Sequence, residues 1–252
     1  PYAAWLACDA SLDILEDLSF FLCSGQHFIR DLNDSDFAFL PKGDNLTGEL
    51  STDRAPEDTR PLSLKNTDIK AIAGAANRML KDSVATRTHV AQQGFVVGRN
   101  FTKHIVRLDA EMRRAGIVPG ASDHKPIFAS FDFSAAFPSL GRAWLFASLE
   151  RFGLPLGYLN LFRSMYHAPN SYVKLDGIRH FMFAIASGVA QGCPASGSAW
   201  AIAMDPLLRH LASYVENADG TPNYDLGYVG GCADDVGPVS YTHLRAHETQ
   251  SD

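Results

Sequence analysis

The stretch Tyr228-Val-Gly-Gly-Cys-Ala-Asp-Asp235 decides how the rest of the chain is interpreted. Its apolar part, from Tyr228 to Ala233, is typical of a β-strand, and it runs directly into the two carboxylates of Asp234 and Asp235. An Ala-Asp-Asp triplet by itself is weak evidence, because such triplets arise often by chance. The pair becomes informative only through the order and the nature of the other segments along the chain.

A third carboxylate, Asp132, lies within the apolar run Ile127-Phe-Ala-Ser-Phe-Asp-Phe133, which we predict to be a buried strand. An ionised carboxylate in a buried strand is costly unless it is paired or bound to a metal. Three carboxylates converging from two strands would supply hard oxygen ligands for two Mg²⁺ ions. Such ions can activate an attacking hydroxyl and stabilise a leaving pyrophosphate. The alternative for a lone strand aspartate is a partnered or edge carboxylate, and Asp132 alone does not decide between them.

The remaining pattern alternates helices with short strands and therefore predicts an α+β architecture. Apolar spacing predicts helices over 11–23, over 69–80 behind a cap at Asn66 or Thr67, over 101–112, over 141–152 and after Ser196. Strands are expected at 37–40 and in a hairpin over 171–185 whose turn is Asp176-Gly177. The histidines His104, His124 and His243 are expected at the surface.

Composition limits the class of protein. The 252 residues are 46% hydrophobic and 20% charged, a globular balance that suits one large domain or two small ones. The chain contains no run of eighteen apolar residues that could span a bilayer. Its four cysteines match no zinc spacing, and we interpret them as reduced, mostly buried thiols. The acidic N-terminus is unlike a signal peptide, so we expect a nuclear or cytoplasmic protein that is not secreted.

Charge is distributed unevenly along the chain, although the net value is −6. Residues 60–210 hold 18 Lys and Arg against 9 Asp and Glu, whereas both flanking segments are acidic. A basic excess confined to one block suits a polyanionic ligand. Charges spread over a solvated surface that binds nothing would give the same count, so charge alone leaves both interpretations open.

Five blocks of sequence, taken together, resemble the reverse transcriptases of non-LTR (LINE-type) retrotransposons. In chain order they are Arg60-Pro-Leu-Ser-Leu with its run to Ala76-Asn77-Arg78, Gln93-Gly-Phe-Val-Val-Gly98, Phe131-Asp-Phe-Ser-Ala-Ala-Phe137, Gly188-Val-Ala-Gln-Gly-Cys-Pro194 and Cys232-Ala-Asp-Asp235. All five follow the order of that family. The resemblance implies the fingers and palm of a right-hand polymerase, with an antiparallel palm sheet packed on helices.

The same resemblance implies an RNA-directed DNA polymerase that joins a dNTP to a primer 3′-OH on an RNA template. Its implied cofactors are two Mg²⁺ ions, which Mn²⁺ could replace. The implied metal ligands are the carboxylates of Asp132, Asp234 and Asp235 together with the backbone carbonyl of Phe133. The implied nucleotide-binding residues are Arg60, Lys42, Phe133, Phe137, Gln191 and Gly192. Gln93, Gly94 and Gly98 correspond to the segment that lies along the template.

The resemblance also divides the chain. We expect an N-terminal flanking segment over 1–36, the reverse transcriptase fingers and palm over 37–237, and a tail over 238–252 that is not native. Val236-Gly237-Pro238 departs from the family, and we expect this glycine and proline to interrupt strand pairing. The absence of an initiating Met indicates that the chain starts inside a longer reading frame.

On this interpretation the chain is truncated at both ends, and the thumb and the rest of the retroelement polyprotein are missing. The fragment alone is therefore expected to be weak or inactive. Two alternatives remain at this point. One is a non-catalytic nucleic-acid-binding remnant of the same fold, and the other is an unrelated two-metal phosphohydrolase. The second would need the Asp-Asp strand but not Arg60, Phe137 or the Gln191-Gly192 turn.

Overall fold

The computed structural model describes residues 3, 7–26, 29, 31–41, 55, 58–117, 127–221, 223, 226–233 and 235–240. Lys42, Asp234, His124, His243 and the tail beyond residue 240 lie outside this part of the chain. The chain divides into two compact units. Unit one contains residues 1–79 and 137–196, and unit two contains residues 80–136 and 197–252.

Helices and strands mix along the chain, as an α+β fold requires. The helices are α1 (Asp9–Cys23), α2 (Thr67–Arg87), α3 (Phe101–Ile117), α4 (Ala136–Ser139), α5 (Arg142–Phe152), α6 (Leu156–Met165) and α7 (Ser196–Ala212). The strands are β1 (Ser35–Pro41), β2 (Thr59–Lys65), β3 (Ile127–Phe128), β4 (Phe131–Asp132), β5 (Asn170–Leu175), β6 (Ile178–Ala184), β7 (Gly227–Cys232) and β8 (Asp235–Ser240). The predicted helices and strands are confirmed, with one exception that is described below.

Unit one is built on a four-stranded sheet in the order β2-β1-β5-β6. β1 and β2 pair antiparallel from Ser35 opposite Lys65 to Pro41 opposite Thr59. The β5–β6 hairpin turns at Asp176-Gly177, whose φ angles are +50° and +79°. Both residues are left-handed, as a tight two-residue hairpin turn requires, so the Asp-Gly prediction is confirmed.

The helices of unit one bury an apolar core. Leu22 of α1, Leu145 and Leu149 of α5 and Phe162 of α6 are almost completely buried. α5 ends where predicted, because Gly153 at φ +78° adopts the left-handed conformation that terminates a helix. The amide of Asn160 donates to the carbonyl oxygen of Cys23 at 3.0 Å, which satisfies a free carbonyl at the end of α1.

Unit two is built around the antiparallel β7–β8 hairpin, which pairs from Gly227 opposite Ser240 to Cys232 opposite Asp235. Helix α7 packs against it. Gly231 has no side chain and admits Leu208, since a Cβ at Gly231 would lie 3.1 Å from Leu208 Cδ2. Val236 and Leu208 are both buried in this core.

The predicted continuous strand over 127–133 is the exception. It forms two short strands, β3 and β4, and both pair antiparallel with β8 in one unbroken register. The break at residues 129–130 lies opposite Gly237 and Pro238. Proline has no backbone N–H to offer to a neighbouring strand, which accounts for the lost pairing at this point.

Two related predictions are also corrected. The predicted interruption at Gly237-Pro238 occurs on the side of β3 and β4 but not on the side of β7, where Val229 and Gly230 stay in register with Pro238 and Gly237. The strand over 127–133 is not buried, since Ile127 and Phe131 are 47% and 51% exposed. Among the described strands, β3 and β4 pair with β8 alone, so each has an open edge.

The cysteines are free thiols, as predicted, but only Cys193 is buried. The expectation that most of them are buried is therefore wrong, because Cys8 lies at the exposed start of α1 and Cys23 and Cys232 are half-buried. None of the described helices is long and apolar enough to cross a membrane.

Candidate functional site

The carboxylates of Asp132 and Asp235 lie opposite each other across the β4–β8 ladder. Cys232 faces Asp235 from β7, so the three residues form one row across three strands. Directly opposed residues of an antiparallel pair project from the same face of the sheet, with Cβ atoms about 4.5–5.5 Å apart. The structure thus brings together two of the three predicted carboxylates. Asp234, the third, lies outside the described residues.

This row is open to solvent. Asp132 and Asp235 are both exposed, so the argument that Asp132 is costly because it is buried does not hold. The strand register places both aspartates on one face, where their carboxylates can supply oxygen donors to a shared cation. Oxygen donors of this kind are the ligands that Mg²⁺ and Mn²⁺ prefer. Within the described residues, no three His, Cys, Asp or Glu side chains cluster as a complete metal site.

The turn between β7 and β8 is held from two sides. Ala233 has φ +60°, a left-handed conformation that is unfavourable for a residue with a Cβ. Its carbonyl oxygen accepts a hydrogen bond from the Trp200 indole at 2.9 Å. Its backbone N–H donates to the Gln92 side-chain oxygen at 3.3 Å. These two contacts fix the backbone immediately before the Asp-Asp pair.

The predicted template-binding segment lies beside this turn. Gln93 donates its backbone N–H to the Gly231 carbonyl at 2.7 Å, and Gly231 donates to the Ala91 carbonyl at 2.9 Å. Gly94 is required by space, because a Cβ there would lie 2.3 Å from the backbone nitrogen of Ala233. Gly98 has φ +78° and terminates the segment in a turn with open space around it.

Gln92 is a residue of this site that the sequence analysis missed. It is 1% exposed, and its side-chain oxygen accepts from both Gly94 N–H, at 2.9 Å, and Ala233 N–H. Gln92 therefore joins the predicted template segment to the carboxylate hairpin. Its own backbone carbonyl accepts from Arg99 at 2.7 Å. The position of Gln92 directly before the predicted template residues Gln93 and Gly94 was the sequence signal that could have indicated its role.

Arg99 organises the start of the same segment. Its guanidinium donates to four backbone carbonyls, those of Ala85, Thr88, His89 and Gln92. Burial lowers the pKa of Arg99, and the nearby carboxylate of Asp205 acts in the opposite direction. The bond to Ala85 caps a carbonyl in the last turn of α2, and the other three hold the segment that follows the helix.

Phe133 follows directly after β4, next to Asp132. Its ring lies edge-on to that of Trp200, with centroids 6.5 Å apart. Trp200 thus contacts both the residue after Asp132 and the turn before the Asp-Asp pair. The indole couples the two carboxylate strands from one side of the sheet.

His104 is not at the surface, contrary to the prediction. It is 6% exposed, and its Nδ1 lies 3.0 Å from the Tyr228 hydroxyl. A Cβ at Gly230 would lie 2.2 Å from the His104 ring, so the glycine makes room for it. Burial lowers the pKa of His104, and the negative charge of Asp235 partly opposes the shift. The spacing of apolar residues along α3 did not reveal this burial, because the burial of His104 depends on a glycine in a distant strand.

Four of the six predicted nucleotide-binding residues, Arg60, Phe137, Gln191 and Gly192, belong to unit one, whereas Phe133 belongs to unit two. The Phe137 carbonyl accepts from Val189 N–H at 2.9 Å, and the Gln191 carbonyl accepts from Ser63 N–H at 3.3 Å. Gly192 has φ +94° and lies close to Leu62, since a Cβ at Gly192 would be 3.2 Å from Leu62 Cδ1. The segment over 188–192 therefore bridges Phe137 and strand β2.

Arg60 lies on that same strand, opposite Leu40, with its side chain exposed. Gly188 is held tightly beneath the bridging segment, since at φ +81° its Cβ would lie 2.5 Å from the Pro138 carbonyl. Four of the predicted nucleotide contacts thus share unit one. The predicted carboxylates and template residues that the structure describes belong to unit two.

Comparison with known proteins agrees with this arrangement. Residues 40–236 match the family described as reverse transcriptase (RNA-dependent DNA polymerase). The transposon TX1 uncharacterized 149 kDa protein of Xenopus laevis is 28% identical over 68% of this chain and 12% of its own length. The Pol polyprotein of the type-2 retrotransposable element R2DM of Drosophila melanogaster is 27% identical over 70% of this chain and 16% of its own length. The chain thus spans less than a fifth of these relatives.

Among solved structures, the apo telomerase of Candida tropicalis truncated from its C-terminal domain is similar in fold. The TM-score is 0.52 at 10% identity, over 91% of this chain and 49% of the telomerase chain. This likeness confirms the predicted α+β fingers-and-palm fold. The family match and the two relatives from mobile elements confirm the resemblance seen in the five sequence blocks. The chain therefore belongs to the reverse transcriptase family, as a domain of the non-LTR retrotransposon type.

Proposed function

We propose that the protein is an RNA-directed DNA polymerase that transfers a nucleotide from a dNTP to a primer 3′-OH. The observation that carries this proposal is the placement of Asp132 directly opposite Asp235, at the end of the β7–β8 hairpin. Two strands thereby deliver carboxylates to one exposed face in a chain of the reverse transcriptase family. Such a face can hold cations against a nucleic-acid substrate.

Reverse transcriptases use divalent metal ions. In this chain the carboxylates of Asp132, Asp234 and Asp235 and the carbonyl of Phe133 would hold two Mg²⁺ ions, or Mn²⁺. When bound, these ions would lower the pKa of the primer hydroxyl and neutralise charge on the leaving pyrophosphate. The β7–β8 turn supports this role by fixing the backbone through Gln92 and Trp200.

Unit one would position the nucleotide. The Arg60 guanidinium is exposed on β2 and can hold a phosphate through two parallel hydrogen bonds, with Lys42 as a second cation. The Phe137 ring would pack under the sugar and exclude a ribose 2′-hydroxyl. Gln191 would offer a donor and an acceptor beside the base, and Gly192 lets the backbone approach closely.

The template would lie along Gln93, Gly94 and Gly98. Gly94 is in contact with the hairpin backbone, so a template strand on this segment would run beside the carboxylate row. Binding of the RNA template and DNA primer should weaken with salt, since phosphate contacts dominate such affinity. We infer that residues 37–237 form the fingers and palm of a longer retroelement polyprotein that acts in the nucleus or cytoplasm.

Primer extension on poly(rA)·oligo(dT) with Mg²⁺ or Mn²⁺, by the longer retroelement protein that contains this chain, tests the proposal. Asp132→Asn and Asp235→Asn should each reduce extension by about 100-fold or more, because each removes charge that acts in the transition state. Asp176→Asn, an exposed carboxylate in the β5–β6 turn, is the matched control and should extend normally. Mn²⁺ binding, followed by water-proton relaxation, gives a second readout that does not require turnover. Unchanged extension and Mn²⁺ binding in Asp132→Asn would overturn the metal assignment.

A further inference from the structure

Unit one contains a cavity of about 360 Å³ on the inner face of the β1–β2 ladder. Side chains alternate along β2, so Ser63 and Lys65 point inward and are buried, whereas Arg60 and Leu64 are exposed on the other face. The cavity is therefore separated from Arg60 by the sheet itself. Its walls include Phe37, Ser63, Lys65, Arg142, Tyr166 and Phe183.

Lys65 enters this cavity with little compensation for its charge. It is 8% exposed, and its Nζ donates to the Met165 carbonyl at 3.2 Å and lies 5.5 Å from the centre of the Tyr166 ring. No carboxylate of the described residues comes within ion-pairing distance of it. Burial lowers the pKa of the Lys65 amine, the Cys193 thiol raises it, and the charge of Arg142 lowers it further.

Arg142 brings a second cation to the same ring. Its guanidinium carbon lies 5.4 Å from the centre of the Tyr166 ring, and Nη1 donates to the Tyr166 carbonyl at 3.0 Å. Its Nε is buried and finds no hydrogen-bond partner among the described residues. Tyr166 supplies no negative charge, because burial raises the pKa of its phenol far above neutral.

Two cations beside one buried ring repel each other and have lost much of their hydration. A bound anion would relieve both costs and would use the free N–H groups of Lys65 and Arg142. A phosphate suits a cation pair of this kind better than a weaker acceptor, because charge-assisted bonds from Arg and Lys are the strong ones. The cavity thus presents a phosphate-binding corner.

The rest of the cavity is apolar and aromatic. Phe37 and Phe183 meet edge to face, with ring centroids 5.7 Å apart, and form an aromatic part of the wall. Phe183 is 46% exposed, and Ala186 and Ser187 on the rim are also exposed, so a ligand can enter from the surface. The volume lies within the range of about 300–1,000 Å³ that small-molecule sites occupy.

We propose that this cavity binds a phosphate monoester carried on an aromatic or nucleoside body, with Lys65 and Arg142 holding the phosphate. The phosphate corner lies on the opposite face of the sheet from Arg60 and needs no metal ion. Gln191, which we propose to contact the base of the dNTP, also lines the cavity, so the cavity adjoins the proposed nucleotide site at that residue. A free nucleoside monophosphate and the phosphorylated 5′ end of a strand carry the same group, and the experiment separates these two sources.

Isothermal titration of the 252-residue chain in EDTA tests the site, since the chelator removes metal-dependent binding at the carboxylates. The probes are dAMP, deoxyadenosine, inorganic phosphate and a 5′-phosphorylated oligonucleotide. dAMP should bind at least 10-fold more tightly than deoxyadenosine, because deoxyadenosine lacks the phosphate. It should also bind at least 10-fold more tightly than inorganic phosphate, because inorganic phosphate lacks the nucleoside. Tighter binding by the 5′-phosphorylated oligonucleotide than by its unphosphorylated form would assign the site to strand ends.

Lys65→Met and Arg142→Met should each weaken dAMP binding at least 10-fold. Arg151→Met removes an exposed cation of α5 that does not line the cavity, and it should leave dAMP binding unchanged. Lys65→Met replaces a buried cation by an apolar chain of similar length, so its thermal midpoint without ligand should equal or exceed that of the wild type. dAMP should raise the midpoint of the wild type and not that of Lys65→Met. Undiminished dAMP binding by Lys65→Met, or no binding of any phosphorylated probe to the wild type, would overturn the proposal.

Discussion

Replacing Gln92 by leucine isolates the link between the template segment and the carboxylate hairpin. Leucine is similar in size and remains buried, but it offers no acceptor to the N–H groups of Gly94 and Ala233. Each buried donor left without a partner costs about 1–3 kcal/mol. The Ala233 bond is long at 3.3 Å, so we assign it the lower end of that range.

A second effect of Gln92→Leu opposes this loss of stability. The Gln92 Nε2 group is buried and has no partner among the described residues, so removing it regains about 1 kcal/mol. The expected net destabilisation is about 1–3 kcal/mol, localised to these two segments. Amide hydrogen exchange is the direct assay. Gly94 and Ala233 should exchange roughly 10- to 100-fold faster, at about 1.4 kcal/mol for each factor of ten.

Gln93→Leu is the matched control. The Gln93 side chain makes a solvent-exposed bond to the Val90 carbonyl, and its loss should change stability by no more than about 0.5 kcal/mol. In primer extension, Gln92→Leu should lower kcat and leave the KM for dNTP unchanged, because it displaces the hairpin and not the nucleotide contacts of unit one. Wild-type exchange at Gly94 and Ala233 in Gln92→Leu would refute the role of this side chain.

Two further outcomes are expected at the same sheet. Gly94→Ala places a Cβ 2.3 Å from the Ala233 nitrogen, so the backbone must shift and the free energy of unfolding in urea should fall by about 2 kcal/mol or more. Gly98→Ala meets no neighbour but is strained at φ +78°, and it should lower the free energy of unfolding by about 1 kcal/mol. Equal losses in the two variants would contradict the steric argument. Burial lowers the pKa of His104 in the folded state, so the unfolded state takes up a proton first and stability should decline as the pH falls through about 6.5. In His104→Gln, the free energy of unfolding in urea should fall less between pH 7.5 and pH 5.5 than it does in the wild type. An unchanged pH dependence in this variant would contradict the assignment.

Features that depend on adjacent residues were predictable from the sequence. The Asp176-Gly177 turn and the end of α5 at Gly153 need only the local preference of those residues for left-handed backbone. These two features share one property, since the information for each lies within a few residues of it. The convergence of Asp132 with the Asp234-Asp235 pair is different, because the two strands are far apart in the sequence and only the family resemblance implied that they meet.

Features that depend on distant residues were missed for the opposite reason. The break between β3 and β4 is caused by Pro238, more than 100 residues away in the sequence. The burial of His104 depends on the missing side chain of Gly230, and the role of Gln92 on Ala233. The apolar run over 127–133 predicted β structure, but its composition could not show that the strand breaks at residues 129–130 or that one edge stays open.

The position of the glycines explains why the carboxylate row remains exposed within a sheet that has helices on both faces. Successive residues of β7 and β8 point to opposite faces, so Gly230 and Gly237 share the face of Asp235, one step along the ladder. A Cβ at Gly230 would strike His104, and one at Gly237 would lie 3.5 Å from Leu108, so these glycines let α3 lie close to the sheet. Helix α3 thus packs against the glycine row, whereas Asp132 and Asp235 on the same face remain exposed. The glycines fix the helix to one part of this face and leave the hairpin end accessible, as the proposed role of the carboxylates requires.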